Sequence, residues 1–465
     1  MTAASRLDAR EAARMAVERV RSGARFCWLY ADAHGEAVRL TYVTDGDDGL
    51  EAFTGAAGAG VDSIAERVPA AYWHEREARD RFGVAFTGLP DATPALPPPS
   101  ADRLRRGQGE ELSVVLYGPV RSGIVESMRW IIETAGEDFV HVHPAIYAKR
   151  RGVEERFAGV PLEVAPLVAE HVSGATAASH ATAFSRAVED ALDLEVPPRA
   201  RALRSALVEL ERVHQHLDAL AKLAEDGSLA IGAAQLLAAK ERVHRLLAEA
   251  TGSRFARGVI CVGGLRDDLA PPLLEAAERG LDEVERHAVA AVEGFFGTQS
   301  SMDRLIGTGR LAPDIVRELG GVGPVARGSG VSCDARLRDG WLYTPLQGDE
   351  ALADGGDAYA RARVRAVEMR RSFRLIRNAL DSIPDGPVRS SVPSREGSAI
   401  ARVESPQGEL LYYVRLEGGA PARVAIRSAS FANWPLFVPS LPGNIFTDFS
   451  FIEHSFGLIH AETDR

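Results

Sequence analysis

The chain has 465 residues, 46% hydrophobic and 26% charged, with a formal net charge of -11. The acidic balance excludes nucleic acid as the main partner, because a phosphate-binding surface needs an excess of Lys and Arg. No apolar run approaches the roughly 18 residues that span a bilayer, and the first residues, MTAASRLDAREAAR, lack the apolar core of a signal peptide, so a cytoplasmic protein is expected.

At roughly 150 residues per domain the length allows about three domains, or two with one large. Cys27, Cys261 and Cys333 lie far apart and none belongs to a CxxC pair. That usage fits a reducing compartment without a disulfide framework, and it leaves this chain unable to hold an iron–sulfur cluster through four thiolates.

In chain order, residues 1–90 read as a small α/β domain. A helical pattern from Leu7 to Val20 precedes two strand-like runs, RFCWLY and AVRLTYVT. Ala71–Pro90 closes the domain with a helix ended by Gly83. The charges Glu75, Arg76, Glu77, Arg79, Asp80 and Arg81 alternate in sign along it, and a solvated, salt-bridged face is expected. Residues 91–110 are a Pro-rich linker, since proline continues neither a helix nor an inner strand.

Residues 111–465 form the larger module. ELSVVLYGPV and EDFVHVHPAIY read as a sheet at its entrance, with Glu126 between them. EHVSGATAASHATAF, Glu170 to Phe184, is a Gly/Ala-rich turn that carries Ser173 and Thr176 three positions apart and runs into a helix bearing His180. After Pro197 and Pro198, an apolar stripe of Leu203, Leu207, Leu210, His214, Leu217 and Ala221 predicts a long helix with His214 as a hydrogen-bonded core residue. Further helices are predicted over Ile231–Ala250, Pro271–Phe296 and about Tyr359–Leu380. The last is crowded with Arg361, Arg363, Arg365, Arg370, Arg371, Arg374 and Arg377, for which a solvated or interfacial face is expected. Long helices in this number imply a bundle. GGVGPVARGSG, Gly320 to Gly330, lacks phosphate-loop spacing and reads as backbone crossing close to something packed against it. Two strand-like runs, GELLYYVRLEG and ARVAIRSAS, open the tail. The fold class is α+β: a small α/β N-terminal domain, then a helical bundle with small sheets.

Over nearly its whole length the chain resembles the large subunit of membrane-bound energy-converting nickel–iron hydrogenases and the related 49-kDa-type subunit of respiratory complex I. The matching runs are EVPPRARALRSALVELERVHQHL, GVICVGGLRDDL, GGVGPVARGSG, GPVR near Gly386, and SFANWP leading to PGN. WHEREARDRFGVAFTGLP makes the N-terminal domain similar to the 30-kDa-type subunit, fused in front. The resemblance implies a subunit of a hydrogenase-like or NADH:quinone oxidoreductase-like complex with quinone and NAD binding, peripheral on the cytoplasmic face of the cell membrane. Its implied partners are a small iron–sulfur subunit, met through Gly263-Gly264 and Gly320 to Gly330, and membrane-embedded antiporter-like subunits.

The hydrogenases hold nickel and iron through two pairs of cysteines, since soft thiolates suit those metals. The first pair aligns with Ser173 and Thr176. The second, counted back from Asp464-Arg465, aligns with Ile459 and Glu462. These are degenerate nickel-ligand positions, so no metal and no cofactor of its own is expected on this chain, and hydrogen turnover is rejected. The complex I quinone site departs too: Arg121 and Val125 stand at histidine positions and Gly174 at a tyrosine position. Glu126 and His180 match retained family residues, and with Glu462 they are the candidate proton-transfer pocket. Two readings follow: electron transfer from the partner's iron–sulfur cluster to a quinone or another acceptor, coupled to ion movement, or a non-catalytic scaffold joining the iron–sulfur subunit to a membrane arm. A replacement metal site from Glu453, His454, His460 and Glu462 is a third, minor idea; the His spacing matches no compact helical pair.

Overall fold

The computed structural model describes residues 7–35, 37–58, 60–91, 95, 112–120, 128–146, 150–338, 342 and 350–465. Helix α1 (Ala9–Arg21) starts on Asp8, whose carboxylate accepts the Glu11 amide. Strands β1 (Arg25–His34), β2 (Ala37–Gly46) and β3 (Gly49–Ala57) form an antiparallel meander, and Leu7–Asp8 pairs parallel to β3 at its edge. Ala12, Ala16 and Val17 of α1 pack over Leu29, Leu40 and Tyr42, giving this unit a core of its own. Helix α2 (Tyr72–Phe82) follows and ends at Gly83, whose φ of 69° suits glycine.

A second sheet orders β4 (Ser113–Tyr117), β5 (Arg129–Ala135) and β6 (Asp138–Ala145). Sequence patterning marks the two outer strands and passes over the central one. In β5 the alternation is hidden, because Ile131 on one face and Trp130 and Ile132 on the other are all buried.

Helices α3 (Ala177–Leu192), α4 (Pro198–Asp226), α5 (Ala230–Thr251), α6 (Ala270–Phe296) and α7 (Ala358–Asp381) follow the predicted spans closely. The α4 stripe packs Leu203, Leu207, Leu210 and Leu217 against Leu236 and Leu247 of α5, Leu273 of α6, and Met369 and Phe373 of α7. A third sheet, antiparallel β7 (Gly397–Ser405), β8 (Gly408–Glu417) and β9 (Ala420–Arg427), lies against α3, with Phe184 and Val188 meeting Tyr412, Val414 and Val424. Helices α8 (Ala429–Phe437) and α9 (Phe449–Phe456) and a short turn at His460–Glu462 complete the chain.

Two expectations about charge are corrected. The charges of α2 do not face solvent: Glu75, Arg76 and Glu77 are buried. The helix is wedged between its own sheet and the chain's tail, where Arg465 donates to Glu77 at 2.8 Å and Arg81 pairs with Glu154 at 2.8 Å. Likewise Arg361, Arg365 and Arg371 of α7 point inward. Arg361 donates to the carbonyls of Gly309 and Gly356 and to the Ser455 hydroxyl, and Arg365 to the carbonyl of Phe456. Only Arg363, Arg370 and Arg374 of the seven are exposed. Of the three inward arginines, Arg361 and Arg365 fall one helical turn apart, on the face that also carries Glu368.

The glycine-rich stretches make close approaches to this chain's own backbone. A Cβ at Gly323 (φ 64°) would sit 1.9 Å from the Gln407 carbonyl oxygen, and one at Gly264 2.0 Å from that of Val388. Asn433, from the SFANWP run, holds the same segment by accepting from the Val322 amide and donating to its carbonyl.

The N-terminal sheet is joined to the third sheet by a mixed seam. Tyr30 stacks on Tyr413 with ring centroids 4.5 Å apart, Asp32 accepts from Arg415 and Tyr413, and Arg25 donates to Glu409 at 2.7 Å. Cys27 and Trp28 pack with Leu411 and Ala425 in that seam. The three cysteines are free.

Candidate functional site

The turn before α3 and the chain's tail meet. Thr176 immediately precedes α3, and its hydroxyl donates to Glu462 Oε1 at 2.8 Å. Ser430, on the first turn of α8, donates to Glu462 Oε2 at 2.8 Å and also accepts the Ile459 amide. His180, one turn into α3, places Nε2 3.4 Å from Glu462 Oε1 and Nδ1 2.7 Å from the hydroxyl of Tyr412 on β8. Thr176, His180, Tyr412, Ser430 and Glu462 are all buried.

Local structure explains how these groups are held. The α3 amides of Ala178 and Ser179 have no partner inside the helix, and Glu211 of α4 accepts both, together with the Ser179 hydroxyl. Burial pushes the Glu211 carboxyl up to about 7, against the pull of those donors. The Ala175 carbonyl accepts from Gln215 and the Gly174 carbonyl from Arg257. On the tail side, Ser428 donates to the Glu462 carbonyl, and Trp434 donates to Thr463. Burial and the nearby Glu462 charge hold the Tyr412 hydroxyl proton well above the usual phenol range.

Of the predicted site residues, His180 and Glu462 are therefore brought together, with Thr176 between the loop and the tail. Ser173 is buried nearby in sequence, and its hydroxyl has no hydrogen-bond partner among the described residues. Ile459 is half-buried and meets the site through its backbone amide. Glu126, Arg121 and Val125 lie outside the described residues. At Gly174 an added Cβ would lie 2.6 Å from the Arg257 guanidinium, so that side of the loop is filled by arginine.

The four positions that the resemblance sets against cysteines thus offer a buried hydroxyl without a partner among the described residues, a hydroxyl committed to Glu462, a hydrocarbon and a carboxylate whose oxygens are already bonded. None is a thiolate, and this donor set does not fit a nickel–iron centre. The tail residues of the minor metal idea are not gathered either. His454 bonds to Asp226 at 2.6 Å, and His460 stacks on Trp434 and lies 3.5 Å from Glu453, while Glu462 serves Thr176. Among the described residues no group of three or more His, Cys, Asp or Glu side chains is placed to hold a metal ion.

Tyr412 and Ser430 are the site residues that sequence reading missed. Each sits in a run whose pattern signals a core strand or a helix start, and nothing local announces that its hydroxyl reaches His180 or Glu462. His214 is buried as expected and bonded to Gln215, but it is not alone: its ring lies 4.5 Å from that of His244 on α5.

The chain is thus a long-helix bundle flanked by small sheets, with a buried polar site where the turn before α3 meets the tail. The family model described as respiratory-chain NADH dehydrogenase, 49 Kd subunit, matches residues 232–396 and 389–465, and the 30 Kd subunit model matches residues 20–106. Formate hydrogenlyase subunit 5 of Escherichia coli is 28% identical, over 87% of this chain and 76% of its own length. The membrane-bound hydrogenase subunit alpha of Pyrococcus furiosus is 30% identical, over 71% of this chain and 82% of its own length. An NADH-quinone oxidoreductase subunit of Akkermansia muciniphila is 25% identical, over 77% of this chain and 94% of its own length. The chain belongs to the complex I 49-kDa-type and membrane-bound hydrogenase large-subunit family, with a 30-kDa-type region fused in front.

Proposed function

We propose that this chain is the redox subunit of a membrane-associated, complex I-like complex that works without a nickel–iron centre. Electrons come from an iron–sulfur cluster on a small partner subunit and pass to a quinone or another small acceptor, with membrane subunits coupling the reaction to ion movement. The observation that carries the reading is Glu462: at a position aligned with a thiolate ligand, a buried carboxylate receives Thr176 and Ser430 and faces His180. A position that had merely lost its metal needs no such arrangement; an apolar side chain would fill it at lower cost. Each electron that reaches a quinone oxygen needs a proton, and in this reading Glu462 with His180 supplies it. Glu126, which lies outside the described residues, joins them in this proposal as a further carboxylate.

The scaffold reading rests on a different observation. Thr176 and His180 are sealed from solvent in the isolated chain, and Ile459 contributes hydrocarbon at a former ligand position.

The test is anaerobic purification of the complex that assembles on this chain, with electron paramagnetic resonance before and after quinone addition. The redox reading expects a cluster signal that changes with the quinone, and acceptor reduction at least tenfold slower in Glu462→Gln while the subunits stay together. A cluster that ignores every acceptor, or equal rates in the variant, decides for the scaffold. Hydrogen uptake with a viologen dye would overturn both.

A further inference from the structure

We infer that Tyr412 is a positioning residue: it donates its hydroxyl proton to Nδ1 of His180 and so fixes the ring proton on Nε2, facing Glu462. The inference deepens the proton-transfer reading above and rests on it for its functional meaning.

The argument is one of hydrogen-bond inventory. A neutral imidazole has one donor and one acceptor nitrogen, and what each faces decides which is which. Among the described residues Nδ1 of His180 faces only the Tyr412 hydroxyl, at 2.7 Å, and Nε2 faces Glu462 Oε1 at 3.4 Å. The phenol has a proton to give, and burial keeps it there. Were Nδ1 the protonated nitrogen, the Tyr412 proton would need a second acceptor, and among the described residues that hydroxyl pairs with His180 alone. Nε2 would at the same time turn a bare lone pair on a carboxylate, two acceptors face to face. With Nε2 protonated, every group is matched: Tyr412 donates to Nδ1, Nε2 donates to Glu462 Oε1, Thr176 donates to the same oxygen, and Ser430 donates to the other.

The consequence is directional. The only bare nitrogen of His180 is occupied by a phenol donor, so an arriving proton cannot land there without breaking the Tyr412 bond. Glu462 accepts from three donors, and His180 is one of them, through Nε2. Removing the Tyr412 hydroxyl frees Nδ1. Nδ1 then has no donor against it, while Nε2 still faces the Glu462 carboxylate.

The tautomer can be read directly. Full-length chain labelled with nitrogen-15 at histidine gives ring-nitrogen correlations whose pattern differs between the two neutral tautomers and the cation. His180 is assigned by the signals lost in His180→Asn or, if that chain does not fold, by those displaced in Thr176→Val. The wild-type pattern should show Nε2 protonated and Nδ1 bare, and Tyr412→Phe should displace the Nδ1 signal, which loses its hydrogen-bond donor, with Nε2 still protonated. A proton on Nδ1 in the wild type, or an unchanged pattern in Tyr412→Phe, overturns the inference. This readout needs no turnover, so it stands or falls apart from the acceptor-reduction assay on Glu462→Gln.

Discussion

Thr176 Oγ1 donates to Glu462 Oε1 across 286 positions of sequence, at 2.8 Å and out of contact with solvent. This bond ties the turn that starts α3 to the tail of the chain. Thr176→Val keeps the shape and deletes the donor. Because the acceptor is a buried carboxylate, the loss should cost about 2 kcal/mol, seen as an earlier midpoint in denaturant. Combined with Ser430→Ala, the losses should depart from additivity, since both hydroxyls serve one carboxylate.

Arg465 is the clamp between the tail and α2. Its guanidinium donates to Glu77 at 2.8 Å and to Glu154 at 2.9 Å and lies over the Phe431 ring. Arg465→Ala leaves Glu77 sharing Arg81 with Glu154, so breaking this buried network should cost about 3 kcal/mol. Hydrogen exchange should rise across α2 and stay unchanged in the middle of α4. Equal protection of α2 in variant and wild type would show that the clamp contributes nothing.

Acid should weaken the seam between the two sheets. Burial opposes ionisation of Glu409, but Arg25, Arg427 and Arg402 outweigh it and hold its folded value at about 2. An unfolded glutamate titrates near 4.3. A lowered value means that the seam's contribution is fully present above the unfolded value and disappears as pH falls from there toward 2. Glu154, held low by Arg81, Arg423 and Arg465 despite burial, acts in the same direction. The unfolding midpoint should therefore drop between about pH 5 and 2, and Glu409→Gln should flatten that part of the curve while lowering stability at neutral pH.

His244 is the opposite case, a polar side chain with nothing to bond. Both ring nitrogens are buried without a hydrogen-bond partner among the described residues, against His214 and Phe255. Burial lowers its proton affinity to about 4. His244→Phe should stabilise the bundle by about 1 kcal/mol, with a larger gain at pH 5 than at pH 8. The sign follows from the lowered value: the unfolded histidine takes up a proton near 6.5 and the folded one resists it, which favours unfolding as pH falls. A loss of stability in this variant would mean that the ring nitrogens are satisfied after all.

Much of the molecule is determined by sequence alone. The α4 stripe, the proline at its start, and Gly83 and Gly252 in the left-handed region after α2 and α5 are local signals with local causes, and the helices lie where those signals put them. The family is legible as well, because many short runs recur in order. What only the tertiary structure decided is which charges face inward and which hydroxyls complete the site. An alternating run such as Glu75 to Arg81 looks the same whether its partners are water or residues hundreds of positions away, and Glu77 meets Arg465 across 388 of them. Tyr412 and Ser430 belong to a strand and a helix start by pattern, and they become part of the site because the third sheet and α8 are packed against α3 and the tail. Hydrogen bonds form between neighbours in space, and periodicity carries no record of which neighbours folding will supply.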